Sequence, residues 1–494
     1  MYDERVIYLI QILKGAKQVK TKRKNLILMT FLALTMIVSA CGSSSNTGNN
    51  NSKENAATSE PAASPSTETK APQVTMTVQF PKSDNLTGIE FVNKRLARFQ
   101  EKYPNVTLKK NDWQYSPNEI GIKMAAHQAP SFFRTPATEG KVLLEHQWLT
   151  DLTPFLANYE HANDFNDKLA DPFKIDGKMY AIPASGYIMA VMINKKLFED
   201  KKVPLPTPDW TWDDFYAAAK ATADPAKGIA GFAMMAKGNE GGWNWTNFLY
   251  GAGGTTQNVA DSKVTSAFNS DAGVKAMEFM KKLRWEGNAL PQNWALNFGD
   301  VYNLFKQGRA AMVLGDRIED AINNGGMKKE DLIILPLPSM VKGGDHTGVL
   351  GGNYDVINPQ ETPETQQMAF NYVTFDLFKD SGLDELKLVL EDRKAKGQVY
   401  LYGAPAYYKA DSEYGKKIEA LVNQYPDNVF RYDPEVTNLM KGVPEPSYNG
   451  QECYAALTNV LQEVFSNKDA DVKSLLDAAA KKFDSEVLSK VVVK

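Results

Sequence analysis

The run Val74-Thr75-Met76-Thr77-Val78-Gln79-Phe80 alternates apolar and polar side chains. A period of two puts one face of a strand on a core. Ile89, Val92, Leu96 and Phe99 then recur at spacings of three, four and three, one stripe of a helix. Tyr103-Pro104-Asn105 stops that helix, and Val106-Thr107-Leu108 predicts a second strand. Strand, helix and strand in this order predict the βαβ unit of a parallel sheet. Residues 177–183 read as a turn and a strand, and 188–193 as the apolar run of a buried strand. Residues 212–221 read as a helix, with Asp213 and Asp214 in the first turn, where carboxylates suit the helix dipole. Helical spacing returns over 271–285, 302–308, 364–378, 414–424, 452–465 and 469–482. No fixed-period repeat interrupts this order, so the fold class is α/β throughout.

The first 40 residues follow another pattern. Lys14, Lys17, Lys20, Lys22, Arg23 and Lys24 precede an apolar run over 26–38, the order of an export signal. The run is too short to cross a hydrocarbon core of about 30 Å. Residues 1–13 lie upstream of the basic segment and outside that pattern. The junction Val38-Ser39-Ala40-Cys41 resembles the lipobox of bacterial lipoproteins, in which the cysteine is diacylated and becomes the N-terminus. The alternative is an ordinary signal peptide with a chance cysteine. Residues 1–40 are therefore expected to be a lipoprotein signal peptide, and Cys41 the lipidation site. Residues 41–72, rich in Ser, Asn, Thr, Ala, Pro and Glu, cannot bury enough apolar surface to offset ordering, and predict a disordered stalk.

Charge and cysteines narrow the picture. The leader's seven Lys+Arg against two Asp+Glu give +5, leaving about −8 of the whole chain's −3 for the remainder. A mildly acidic exported chain without a basic stripe excludes nucleic acid as the expected partner. With Cys41 acylated only Cys453 remains, so an intramolecular disulfide is excluded and Cys453 is expected to be a small core residue. With 43% apolar residues, the body after residue 72 has enough material for more than one core.

Eight segments carry a resemblance when read in order. They are Phe99-Gln-Glu-Lys-Tyr-Pro-Asn-Val-Thr-Leu108, Ile122-Lys-Met-Ala-Ala126 with Ala129-Pro130, and Leu149-Thr-Asp-Leu-Thr-Pro154. Asp176-Gly-Lys-Met-Tyr-Ala-Ile-Pro183, Ile193-Asn-Lys-Lys-Leu-Phe198 and Trp210-Thr-Trp-Asp-Asp-Phe215 follow, then Phe305-Lys-Gln-Gly-Arg-Ala-Ala-Met312 and Leu350-Gly-Gly352. Together they resemble the family 1 extracellular solute-binding proteins, the sugar-binding lipoproteins of ABC transporters. Two departures border the expected cleft: Ser131 stands where the family usually has Asp, and Phe132-Phe133-Arg134 replaces a more variable apolar segment.

The resemblance implies a two-lobed periplasmic-binding-protein-like fold of type II with discontinuous lobes. Lobe 1 would comprise 73–185 with 337–400, and lobe 2 would comprise 186–336 with 401–494. Crossings are expected near 184–187, 334–338 and 400–407, with the ligand held between the lobes. A sugar offers hydroxyls to planar polar groups and a C–H face to aromatic rings. Candidate ligand-binding residues are Asp112 and Trp113 after the second strand, Arg134 on the third, and Tyr187. Trp243 and Trp245 sit in a glycine-rich run, Gly241-Gly-Trp-Asn-Trp245, read as exposing its side chains. Asp316 and Arg317 follow Val313-Leu-Gly315. Gly352, Tyr354 and Tyr448 complete the set. Trp210 and Trp212 are assigned to packing.

Catalytic patterns are scarce. His127, His146, His161 and His346 have no metal-ligand spacing, and neither a nucleophile elbow nor a phosphate-binding loop is present. Asp164-x-Asn166-Asp167 lacks the glycine and distal Glu of a calcium loop and reads as a solvated turn. No cofactor, metal or catalytic residue is expected. The leading expectation is a monomeric, lipid-anchored binding protein on the outer face of the bacterial cell membrane, passing a carbohydrate ligand to the transmembrane subunits of an ABC permease. The alternatives are a surface glycan-acting hydrolase or lyase, which would need two acids flanking the sugar, and a ligand sensor for a membrane kinase.

Overall fold

A computed structural model describes residues 72–83, 86–491 and 493. The leader, Cys41 and the stalk up to residue 71 lie outside the described residues. The expected βαβ unit is present: strand β1 (Val74–Gln79), helix α1 (Leu86–Lys102) and strand β2 (Val106–Asn111) pair in parallel, from Val74 opposite Val106 to Gln79 opposite Asn111. Strand β3 (Phe132–Pro136) follows, then β4 (Ile182–Ile188) and the wholly buried β5 (Ala190–Asn194).

Helix α2 (Trp212–Thr222) begins at a reciprocal cap. Thr211 Oγ1 accepts from the Asp214 N–H at 3.3 Å, and the Asp214 carboxylate accepts from the Thr211 N–H at 2.9 Å. Trp210 donates to the Pro336 carbonyl and Trp212 packs on Phe248 and Phe279, so both indoles are packing residues. Strand β6 (Ala230–Ala233), helix α3 (Glu240–Gly251) and helix α4 (Asp271–Trp285) come next. Strands β7 (Ala310–Leu314) and β8 (Leu332–Pro336) complete a sheet of order β8-β5-β7-β6.

Strand β9 (His346–Ile357) has twelve residues and changes partners along its length. Its first half pairs in parallel with β10 (Met440–Pro444), its middle pairs antiparallel with β4, and its last five residues pair with β3. The longer helices that follow are α5 (Pro363–Val373), α6 (Asp380–Ala395), α7 (Glu413–Val422), α8 (Gly450–Ser466) and α9 (Val472–Glu486). Among them α6 has no counterpart in the periodicity reading. Its Leu383, Leu386 and Leu390 recur at spacings of three and four and pack on the second of the clusters below, but only Leu390 is fully buried, and the sequence reading does not pick the stripe out.

Three apolar clusters result. The largest joins β5 to β8, α2 to α4, α8 and α9, with Cys453 fully buried in it, and burial pushes that thiol up. A second joins β1, α1, α5, Leu390 and α7, and a third lies under Phe133, Phe173 and Tyr354. The hand-over between clusters falls later in the chain than the lobe bounds implied by the resemblance. Leu337 and Val349 pack in the largest cluster, because β8 pairs with β5 and the chain passes over only along β9. Ile418, Val422 and Tyr425 pack with β1 and α5, because α7 turns its apolar face that way.

The Gly241-Gly242 pair has a different purpose from the expected exposure. Both glycines are buried in the first turn of α3, where Gly242 N–H donates to Thr458 Oγ1 at 2.7 Å. A Cβ on Gly242 would lie 2.1 Å from the Tyr454 carbonyl oxygen. The glycines let α3 and α8 approach backbone to backbone.

Candidate functional site

Ligands of α/β sheets gather beyond the carboxyl ends of the strands. Beyond β2 lie Asp112, Trp113 and Tyr115; beyond β3, Thr138 and Glu139; beyond β6, Asn239 and Trp243; beyond β7, Asp316 and Arg317. The β4–β9 ribbon passes between these groups, with Tyr187 opposite Gly351.

The Tyr187 ring crosses the ribbon over Gly351, where a Cβ would lie 2.1 Å from its hydroxyl oxygen. It stands edge-on to Trp243, centroids 6.0 Å apart at 87°. Its hydroxyl donates to Glu445 Oε2 at 3.5 Å, and Tyr454 donates to Glu445 Oε1 at 3.1 Å. On the other side of the seam, the Tyr115 hydroxyl donates to Glu139 Oε2 in a short contact, and Thr138 Oγ1 donates to Glu139 Oε1 at 3.1 Å. The two sides touch where Gln451 Nε2, in the first turn of α8, donates to Thr138 Oγ1 at 2.7 Å. Asn239 donates in turn to the Gln451 side-chain carbonyl, and Lys141 lies 5.0 Å from the Tyr448 ring centroid.

Burial pushes the Glu139 carboxyl up, and it pushes Glu445 up to about 7, with the Glu139 charge adding to the shift. Asp316 is raised for the same reason, with Arg317 opposing.

The expected residues separate into two groups. Trp113, Tyr187, Trp243, Asp316, Arg317 and Tyr448 reach the seam or its rim. Trp113 is half-buried, donates to Glu119 Oε2 at 2.8 Å and packs edge-on to Tyr115; Asp112 beside it is exposed. Arg317 is exposed, 5.6 Å from the Phe298 ring centroid. The other group is committed elsewhere. Arg134 is bound at both ends of its fork to Asp355, at 2.9 Å each, on the face of β3 that packs toward α1 and α5. Trp245 is fully buried in the largest cluster. Tyr354 is 1% exposed against Phe173, and Gly352 is buried where a Cβ would lie 2.8 Å from the Ser185 carbonyl oxygen.

The seam also holds Tyr115, Thr138, Glu139, Glu445, Gln451 and Tyr454, which sequence reasoning missed. No motif marks them: Thr138 and Gln451 are 313 positions apart, and Glu139 and Glu445 are two among 59 acidic residues.

A cavity of about 780 Å³ lies beside Ile188, Leu350 and Gly442, on the ribbon face opposite Tyr187, under the 402–410 segment. It is lined by none of the expected residues; the candidate site is the Tyr187 face, where the strand carboxyl ends converge.

The family described as bacterial extracellular solute-binding protein matches residues 83–382. Curated binding proteins of Brucella abortus (strain 2308) and Brucella suis biovar 1 (strain 1330) are 28% identical over 158 residues, 32% of this chain. The chain spans only 37% of the length of those relatives. Among solved structures, a solute-binding protein of an ABC transporter from Thermotoga lettingae TMO, bound with α-D-tagatose, superposes with a TM-score of 0.63 at 20% identity, covering 83% of this chain and 99% of that one. A maltose-bound protein of T. maritima superposes equally well at 18% identity, with the same coverage. UgpB from Mycobacterium tuberculosis, in complex with glycerophosphocholine, does so at 14% identity over 84% of this chain and 98% of that one. The fold is the two-lobed, mixed α/β fold of these binding proteins, type II. With 300 of its 494 residues matched, the chain belongs to the bacterial extracellular solute-binding protein family.

Proposed function

We propose that the protein captures a saccharide between its two lobes and delivers it to an ABC import permease. The observation that carries this reading is the seam. Rings from Tyr187 and Trp243, which pack on the largest cluster, amides from Asn239 and Gln451, and hydroxyls from Thr138 and from Tyr115, which packs on the third cluster, converge there at the strand carboxyl ends. Rings serve the C–H face of a sugar, and planar amides serve its hydroxyls. Tagatose and maltose in proteins of the same fold support the ligand class.

The hydrolase alternative needs two acids free to meet a glycosidic bond and a water. All four carboxyl oxygens of Glu139 and Glu445 already accept from hydroxyls of their own side, which favours binding over turnover.

The experiment is calorimetry of the stalk-free body against tagatose, maltose, maltotriose, laminaribiose and glycerophosphocholine, with scattering on any complex. Saturable binding, a smaller radius of gyration and an unchanged saccharide are expected, because lobes joined by a thin ribbon close about it. Product formation would refute the reading, and so would binding of glycerophosphocholine with no saccharide bound.

Tethering belongs to the same proposal. Diacylation at Cys41 would hold the body at the outer membrane face, with 42–72 as spacer. Cys41→Ala is expected to abolish labelling by a fatty-acid probe and to leave the protein unprocessed or shed; label retained on the variant would remove the anchor.

A further inference from the structure

Glu139 and Glu445 are 3% and 8% exposed, and they belong to opposite sides of the seam. Glu139 sits beyond β3 with Tyr115 and Thr138; Glu445 follows β10 and is held by Tyr187 and Tyr454. Among the described residues neither carboxyl has a Lys, Arg or His within ion-pair distance. The groups facing them are Tyr115 from the β2 side, Tyr187 and Tyr354 from the ribbon, Tyr250 from α3, and Glu452 and Tyr454 from α8. Every one is neutral or acidic. The cation nearest in sequence, Lys141, lies over the Tyr448 ring. A hydroxyl already fills a place on each carboxyl oxygen, so a proton, and not a cationic ligand group, is the natural way to neutralise the pair.

We propose that closing the cleft takes up a proton at the Glu139–Glu445 pair, so that acid favours the closed form and alkali the open one. The proposal rests on reading the seam as a cleft that opens and shuts. Opening parts Gln451 from Thr138, returns both carboxyls to water and separates their charges. Closing buries them together, which disfavours two ionised groups.

The sign follows from linkage. An exposed glutamate titrates near about 4.3, whereas in the closed form Glu445 is pushed up to about 7. The closed form therefore binds more protons between these values, and its advantage is complete at the acid end and lost as pH rises through 7. For one group the ratio of closed to open changes by up to about tenfold per pH unit in that window.

The test is scattering by the ligand-free, stalk-free body from pH 5 to pH 9, with the fluorescence of Trp243 beside Tyr187 as a second readout. A radius of gyration that grows as pH rises through about 7 is expected. Glu445→Gln mimics the protonated carboxyl and should stay compact across the range, whereas Glu139→Gln leaves Glu445 to titrate and should keep only a weakened transition. A wild-type profile flat from pH 5 to pH 9, or both variants keeping the wild-type transition, would overturn the proposal. Failure of every saccharide to bind would refute the functional reading and leave a pH-dependent radius standing, so the two failures are distinguishable.

Discussion

Trp245→Ala is expected to lower the stability of the body by about 3–5 kcal/mol, the range for deleting a large aromatic ring from a core. The indole is 0% exposed on α3, inside the cluster that also buries Phe248, Met277 and Leu461. The α3–α8 contact below it is glycine-tight and cannot collapse into the void, since Gly242 already meets the Tyr454 backbone. Trp245→Phe should cost less because most of the volume stays. Denaturant unfolding followed by circular dichroism measures the loss, and the part of the protein that remains folded should bind with unaltered affinity. A loss below about 1 kcal/mol would mean that the site collapses freely.

Two residues earlier, the opposite result is expected. Trp243→Ala should weaken saccharide binding by about 1.5–3 kcal/mol, ten- to a hundredfold, with little loss of fold. The Trp243 ring is half-buried at the seam, edge-on to Tyr187. Tyr187→Phe should have a smaller effect, because the ring stays and only a long 3.5 Å hydrogen bond to Glu445 is lost. Calorimetry with the tightest-binding saccharide decides: unchanged affinity in Trp243→Ala would return the ring to packing.

These neighbours show where sequence reading succeeds and where it stops. Trp243 and Trp245 share a motif and received the same role, yet α3 turns one toward the seam and the other inward. Around a helix, residues two apart face opposite ways, so the assignment needed the run to be recognised as helical. Its two glycines argued for a loop. They are in fact the contact surface for α8, whose partner residues Tyr454 and Thr458 lie more than 200 positions away.

Much of the fold was legible because its causes are local. Alternation set β1, the apolar stripe set α1, the Tyr103-Pro104-Asn105 break set the start of β2, and Asp213 and Asp214 marked the first turn of α2. Charge, cysteine count and the absence of catalytic spacing narrowed the function, and eight ordered segments pointed to the family. Helix α6 was missed although Leu383, Leu386 and Leu390 stand at helical spacing, because Leu388, Val389 and many charged residues interleave with that short stripe. The tertiary structure alone decided which polar groups meet. Arg134 was expected in the cleft and is bound instead by Asp355, 221 positions away, because β3 and β9 pair in a register that sets them opposite each other. Glu139 and Glu445 come together only because a twelve-residue strand carries the chain between two cores and α8 returns to the seam. Periodicity records how a segment faces its own core; it carries no information on which distant segment lies across a gap.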